Sequence, residues 1–303
     1  MLGGVRHEVI EANHAGQRLD NFLMGLPEKP PRGLVYRLIR TGQVRINGKR
    51  AKPMAKLAMG DDVRIPPLEP AGQRSAPNER TRKKWGDWVA GWTLMETDGW
   101  LAINKPAGLA MHAGSGVDVG LIDMVQANQP HWQLVHRLDR ATSGVVLVAK
   151  TRQELIRLQD LWRDRLVGKR YLALLEGEIS ESQTIVDQPL KKIRDHSGQH
   201  RVIPDSKGQT AKTTFIVQAR YVGYTYVEAV IETGRMHQIR AHAKAIGHAV
   251  VGDERYNESQ PPASLKRLFL HAHQLTLPAP DACTLIAPLP VELVQCLDRL
   301  DQA

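Results

Sequence analysis

HRLDRATSGVVLVAK, residues 136–150, joins a dense polar cluster directly to an apolar run. Val145 to Ala149 is unbroken and short, which suits a strand buried on both faces. A strand reaching a core is ordinarily flanked by plain turn residues. Here the flank carries His136, Arg137, Asp139 and Arg140 ahead of a Thr142-Ser143-Gly144 turn. It is either a solvated loop or a site held at a strand end. Taken alone, Asp139 also fits a carboxylate that caps the turn, because short polar side chains commonly do so.

Outward from this strand, strand-like and helical runs follow one another. TDGWLAINKP reads as a strand and GLIDMVQAN as a helix. RQELIRLQDLWRDRLV is an amphipathic helix with Leu155, Leu158, Leu161, Trp162 and Leu166 on one side. KRYLALLEGEI is a strand, and TTFIVQARYVGYTYVEAVIETG forms two antiparallel strands around Gly223. HQIRAHAKAIG is a helix, ACTLIAPLP a strand, and PVELVQCLDRLDQA a closing helix. Strands often neighbour strands and helices are fewer. The expected fold is therefore α+β, a mixed, mostly antiparallel sheet with flanking helices over residues 93–303.

Residues 16–65 read differently. Leu19, Phe22 and Leu23 recur at helical spacing, as do Leu34, Val35, Leu38 and Ile39. VRINGKR then gives two short strands around an Asn47-Gly48 turn, and MGDDVRIP a turn and a closing strand. The unit is helix, helix, small sheet. Residues 1–15 are expected to be a tail. Residues 66–92, rich in Pro, Gly and charge, are expected to be a linker, flexible at least through Lys84. Packing onto the following domain is the expected use of Trp85, Trp88, Trp92 and Trp100, with base stacking as the alternative.

The chain of 303 residues is long enough for one large domain and a small one. It has no apolar run near the ~20 residues of a membrane span. Its two cysteines, Cys283 and Cys296, make no disulfide framework, which points to a reducing cytoplasm. A monomer is the default expectation. The net charge is +9, and residues 1–65 alone hold 12 Lys and Arg against 6 Asp and Glu. A surplus concentrated in one small unit suits either a polyanion or a solubilising surface. Arg37 and Arg40 on the second helix, with Arg45, Lys49 and Arg50 on the hairpin, could form one basic face for phosphates.

Three islands look chemical: HRLDRATSG with Asp139, GKRYLALLEG with Tyr171, and IETGRMHQIRAH with Arg235, His237, Gln238, Arg240 and His242. LAINKPAGLAMHAGSG, with Lys105 and His112, could add a fourth wall. An aspartate at the mouth of a buried strand is costly unless paired, and a distant arginine would aim it. A tyrosine offers a flat face with a polar tip. Together these groups suit a planar, polar ring. Arg137, two residues from Asp139, should share its side of an extended chain. A zinc site is not expected: the His237 and His242 spacing is not that of a helical pair, and no Cys ligand accompanies them.

HRLDRATSG, KRYLAL and TGRMHQIRAH, in this order, resemble the signature segments of the RluA family of RNA pseudouridine synthases. INKPAGL and HAGSG resemble that family's opening strand and turn, and AGSG with RLFLHAHQL points to its RluC-like branch, which modifies large-subunit ribosomal RNA. RLDNFL, YRLIRTGQVRINGKR and GDDVRIP resemble the alpha-L RNA-binding domain, the type named after the fourth small-subunit ribosomal protein. The resemblance implies the pseudouridine synthase fold and no cofactor. It implies Asp139 as the catalytic carboxylate, Tyr171 stacking on the uracil and assisting proton removal, and Arg240 pairing with Asp139. Arg137 would help extrude the base and Ile231 would line its pocket. His136, Thr142, Arg235, His237 and Gln238 are further substrate-side candidates. The expected partner is large-subunit ribosomal RNA or its assembly intermediate. Transfer RNA as substrate is the close alternative, and a non-catalytic RNA-binding or ribosome-assembly factor the more distant one. A zinc deaminase is disfavoured because no HxE…PCxxC pattern occurs.

Overall fold

Residues 16–65 fold as their periodicity predicts, and their sheet also takes in the segment ahead of them. The computed structural model describes residues 4–28, 30, 32–68, 77–113, 117–194, 200–257 and 265–302. Its contacts divide into two units, Met1–Asn78 and Glu79–Ala303. The first contains β1 (Arg6–Val9), α1 (Leu19–Met24), α2 (Arg32–Arg40), β2 (Arg45–Ile46), β3 (Lys49–Arg50) and β4 (Asp62–Ile65). The strand order is β1-β4-β2-β3. β1 pairs with β4 from Arg6↔Ile65 to Val9↔Asp62, so residues 6–9 are an edge strand and not the expected tail. That pairing satisfies the backbone groups on one side of β4, which would otherwise face water unpaired. Asn47 and Gly48 take φ of 49° and 73°, the positive values of a two-residue hairpin turn. Leu19, Phe22 and Leu23 of α1 pack with Val35, Leu38 and Ile39 of α2 over Val63 and Ile65.

The second unit begins with α3 (Glu79–Gly91), where the sequence reading expected linker. Thr81, Trp85, Val89 and Trp92 recur at helical spacing and are all partly covered, a period obscured by the charged residues between them. Residues 69–76 of the expected linker lie outside the described residues. Next come β5 (Thr93–Glu96), β6 (Trp100–Lys105), α4 (Leu121–Gln126), β7 (Gln133–Leu134), β8 (Ser143–Ala149), α5 (Arg152–Arg163) and β9 (Gly168–Glu176). β10 (Gln183–Asp187), β11 (Leu190–Arg194), β12 (His200–Pro204), β13 (Lys212–Tyr221) and β14 (Tyr224–Ile231) follow. The unit ends with α6 (Gln238–Ala245), β15 (Leu270–Thr276), β16 (Thr284–Ile286) and α7 (Val291–Asp301). Leu166, expected on the apolar side of α5, lies beyond its end and is exposed. Arg165 has φ of 59° there, which turns the chain out of the helix.

A ten-stranded sheet runs β10-β13-β14-β9-β15-β8-β6-β5, with β16 on β15 and β7 on β8. Its pairings are antiparallel except β15 with β8, so it is mixed and mostly antiparallel. Every residue of β8 is buried. Val145, Leu147 and Ala149 pack against Leu155 and Leu158 of α5. Val146 and Val148 pack on the opposite face against Leu121, Ile122 and Val125 of α4. Covering on both faces is the reason the run is apolar without alternation. Farther along the sheet, α6 covers Val227, Ala229 and Ile231, while α7 packs with Leu174 on the other side.

Candidate active site

β8 and β15 pair only at His271↔Ser143 and Ala272↔Gly144 before they part. Gly144 has φ of 116°, and a Cβ there would come within 2.2 Å of the Ala272 carbonyl oxygen, so a side chain is excluded. Beyond that contact a cavity of about 240 Å³ opens. Its wall includes Val145 of β8, Lys169 and Tyr171 of β9, Ile231 at the end of β14, and Ala272, Gln274 and Leu275 of β15. His136, Arg137 and Trp162 complete one side. Asp139 does not line this cavity. Its turn is closed by the Thr142 N–H, which donates to the Asp139 carbonyl at 3.1 Å.

Arg240 reaches across 101 positions of chain to donate from Nη1 to Asp139 Oδ2 at 3.1 Å. The rest of its fork holds a second carboxylate: Nε donates to Asp253 Oδ2 at 2.6 Å and Nη2 to Oδ1 at 2.7 Å. Burial works against the Arg240 cation, but the hydrogen bonds and charges of Asp253 and then Asp139 outweigh it and raise its pKa. Asp253 is fixed in turn, because its Oδ1 accepts the N–H groups of Arg255 and Tyr256. Arg240 is thereby held rigid, with one arm left for Asp139. The buried bidentate pair supplies the orientation.

His237 stands on the other side of the same carboxylate. It has φ of 53° at the start of α6, an uncommon backbone for a residue with a side chain. Its Nδ1 is 3.0 Å from the Tyr256 hydroxyl, which accepts the Val202 N–H at 2.8 Å. With the hydroxyl donating to Nδ1, no buried hydroxyl proton is left unpaired, and the ring proton is assigned to Nε2. Nε2 faces Asp139 Oδ2 at 3.7 Å, too far for a hydrogen bond between them. Burial, opposed by Asp139, pushes the His237 pKa down to about 4, so the ring is neutral at physiological pH. Tyr171 has its pKa raised by burial and then by the nearby Asp139 anion, and it stays protonated.

The other candidates divide. Gln238 is buried and fully engaged by the protein: Oε1 accepts Thr233 Oγ1 and the Arg235 N–H, and Nε2 donates to the Lys212 carbonyl and Thr213 Oγ1. It fastens the loop before α6. Arg235 donates from Nε to the Thr210 carbonyl. His136 stacks on Trp162 at 4.6 Å, and its Nε2 accepts the Leu147 N–H. Burial and then the Lys169 charge push its pKa down to about 3. Lys105 is no cavity wall. It is fully buried and donates to the carbonyls of Pro106, Leu109 and Arg140, clamping the Asp139 loop from behind. Burial and then Arg267 lower its pKa to about 7, with Asp139 acting the other way. His242 is held by Thr213 and the Gln188 carbonyl, while His271 and His273 both meet the Ala287 carbonyl. Among the described residues no group of His, Cys, Asp and Glu could hold a metal ion.

In the first unit, Arg37, Arg40, Arg45, Lys49 and Arg50 are all exposed. Arg45 sits opposite Arg50 on one neighbouring strand and Arg64 on the other. Arg45 and Arg64 also line a shallow hollow with Gly42, Gln43 and Gly48. Sequence reading missed Arg64 here, and Asp253, Tyr256 and Lys169 in the second unit. GDERYN, residues 252–257, does carry a turn signal, with Gly252 at φ of 73°. Nothing in it names Arg240 as a partner.

The RNA pseudouridylate synthase family model matches residues 99–245, and the S4 domain model matches residues 17–63. The chain belongs to the RNA pseudouridine synthases and is an enzyme of that family, with an N-terminal S4 domain. It is 40% identical to the ribosomal large subunit pseudouridine synthase C of Salmonella typhi, over 98% of this chain and 97% of that protein. It is 39% identical to the protein of the same name from Escherichia coli K12, over 99% and 98%. The solved structure of human RNA pseudouridylate synthase domain containing 4 covers 73% of this chain and 97% of its own, with a TM-score of 0.61 and 26% identity.

Proposed function

We propose that this protein converts uridines of large-subunit ribosomal RNA to pseudouridine, with Asp139 as the reacting carboxylate and the target base extruded into the cavity. The observation that carries the proposal is the Asp139–Arg240 pair beside a cavity walled by Tyr171, Ile231 and Arg137. The reaction breaks the N1–C1′ bond, turns the uracil, and joins C5 to C1′. C5 loses a proton and N1 gains one, so the formula is unchanged and no redox partner is consumed. A base inside folded RNA must leave its stack before a side chain can act on it. Exposed Arg137 would fill the vacated space or meet phosphate. Tyr171 and Ile231 would sandwich the ring.

Asp139, aimed by one arm of Arg240, would attack the sugar or the ring, or remove the 2′ proton. Each route needs one fixed carboxylate rather than a pair. A substrate hydroxyl seated beside the His237 Nε2 and Asp139 Oδ2 atoms, 3.7 Å apart, would accept from the imidazole and donate to the carboxylate. A cavity lined by Val145, Ile231, Ala272 and Leu275 would retain the detached uracil and limit hydrolysis. The names of the full-length relatives support large-subunit RNA as the substrate.

The test uses large-subunit ribosomal RNA transcribed with tritium at uracil C5, since the new C–C bond must expel that hydrogen to water. Wild type should release tritium, and Asp139→Asn should fall to the background rate while retaining RNA affinity. Transfer RNA labelled in the same way serves as the competing substrate. Release from it alone would replace the substrate assignment. Equal release by wild type and Asp139→Asn would remove the carboxylate from the mechanism.

A further inference from the structure

Helix α3 is 13 residues long, yet none of its residues is buried. Its partly covered side is Thr81, Trp85 and Val89, continued by Trp92 just beyond the helix. Val89 and Trp92 pack on the apolar cluster that also contains Leu138 and touches Tyr171. Asn128 further fastens the helix by donating to the Arg82 carbonyl at 3.0 Å. The covered side accounts for Trp85 and Trp92; Trp88 is 44% exposed, with one ring face stacked on Trp92 at 6.2 Å between centroids and 28° between planes.

The outward side has a composition of its own. Arg80, Lys84 and Trp88 fall at intervals of four, with Lys83 beside them, so they share one stripe about 12 Å long. The Lys84 ammonium lies 4.6 Å from the centre of the Trp88 ring. None of Arg80, Lys83 or Lys84 has an acidic partner among the described residues. An exposed indole interleaved with unpaired cations meets the two needs of a single-stranded nucleic acid: a stacking face and charge for phosphates.

We propose that the outward face of α3 binds a single-stranded segment of the substrate RNA, one base stacking on Trp88 and its phosphates meeting Arg80, Lys83 and Lys84. The stacking base takes the ring face now under Lys84, and the displaced ammonium turns to phosphate. The proposal rests on the reading of RNA as substrate. It adds a contact made by residues of the second unit, other than those of the basic face of the S4 domain. The face adds affinity and leaves the chemical step alone.

The experiment measures binding of full-length protein to the large-subunit transcript across a salt series, with tritium release read in parallel. The triple variant Arg80→Gln, Lys83→Gln, Lys84→Gln should flatten the slope of log affinity against log salt by about 2, from roughly 0.7 per lost single-strand phosphate contact. Trp88→Ala should bind about fivefold to a hundredfold more weakly, with KM raised and kcat unchanged, and Trp88→Phe should restore most of the loss. An unchanged slope in the triple variant, or Trp88→Ala binding as tightly as wild type, overturns the proposal. Absence of tritium release by wild type would instead count against the proposed reaction, while the binding series still decides the face.

Discussion

Arg240 and Arg45 carry the same group in opposite circumstances. Arg240 is buried between two carboxylates, and its donors are committed to Asp253 and Asp139. Arg45 is exposed, with arginines opposite it on both neighbouring strands. Like charges facing each other across a ladder oppose folding. The first arrangement is complete without a ligand and fixes the position of Asp139 Oδ2. The second sets like charges side by side, with Arg45 donating to the Gly42 and Gly48 carbonyls at 3.2 Å each. On the proposed function the first would serve chemistry and the second capture of RNA, and they should fail differently.

The sharpest break comes from Arg240→Ala. It leaves Asp253, whose side chain has no exposure, without its cation. Removing one partner of such a pair costs about 3–5 kcal/mol, so activity and fold stability should fall together, the melting point by about 10 °C. Arg240→Lys keeps the charge and loses the fork, and should recover stability more than turnover. Thermal melts beside tritium release would separate the two. A variant with wild-type turnover would refute the pairing as functional.

Acid should act next in size, through buried imidazoles of the second unit. His136, His237 and His271 have folded pKa values of about 3, 4 and 4, each lowered chiefly by burial. An unfolded histidine protonates near pH 6.5, so below that pH the unfolded chain takes up protons that the fold refuses. Stability should be full above about pH 6.5 and decline as pH falls toward 4. Melting points across that window check the sign. A flat profile would mean that these rings protonate without unfolding.

The smallest effect belongs to the basic face. Arg45→Ala with Arg64→Ala should weaken RNA binding evenly across sequences and flatten the salt slope by about 1 per lost phosphate contact. It should also leave stability unchanged or slightly improved, since two like-charge pairs disappear. A loss of turnover at saturating RNA would mean that this face does more than capture.

Much of the candidate site is legible in the sequence, because its parts lie in compact motifs that carry the family resemblance. Asp139 in HRLDRATSG sits next to a run whose apolarity already announces a central strand. Gln238 shows the limit of the same reading. It lies two residues before Arg240, in the same motif, and was expected to meet substrate. The structure instead gives each of its polar atoms a protein partner. Proximity in a motif says that residues are placed together; it does not say which way they face. Helix α3 shows another limit, since its helical period was masked by the charge that makes its outer face distinctive.

The sequence by itself determined the two-unit organisation, the mixed and mostly antiparallel sheet, the hairpin at Asn47-Gly48, and the candidates Asp139, Tyr171 and Arg240. The first three follow from local period and turn chemistry; the three candidates follow from short motifs and the family resemblance that those motifs carry. The tertiary structure alone decided that β1 completes the small sheet. It also decided that Asp253 and Tyr256 stand behind Arg240 and His237, and that Lys105 clamps a loop instead of facing the cavity. Most of those contacts join residues 13 or more positions apart, where burial and hydrogen-bond geometry choose the partner and no local pattern encodes the choice.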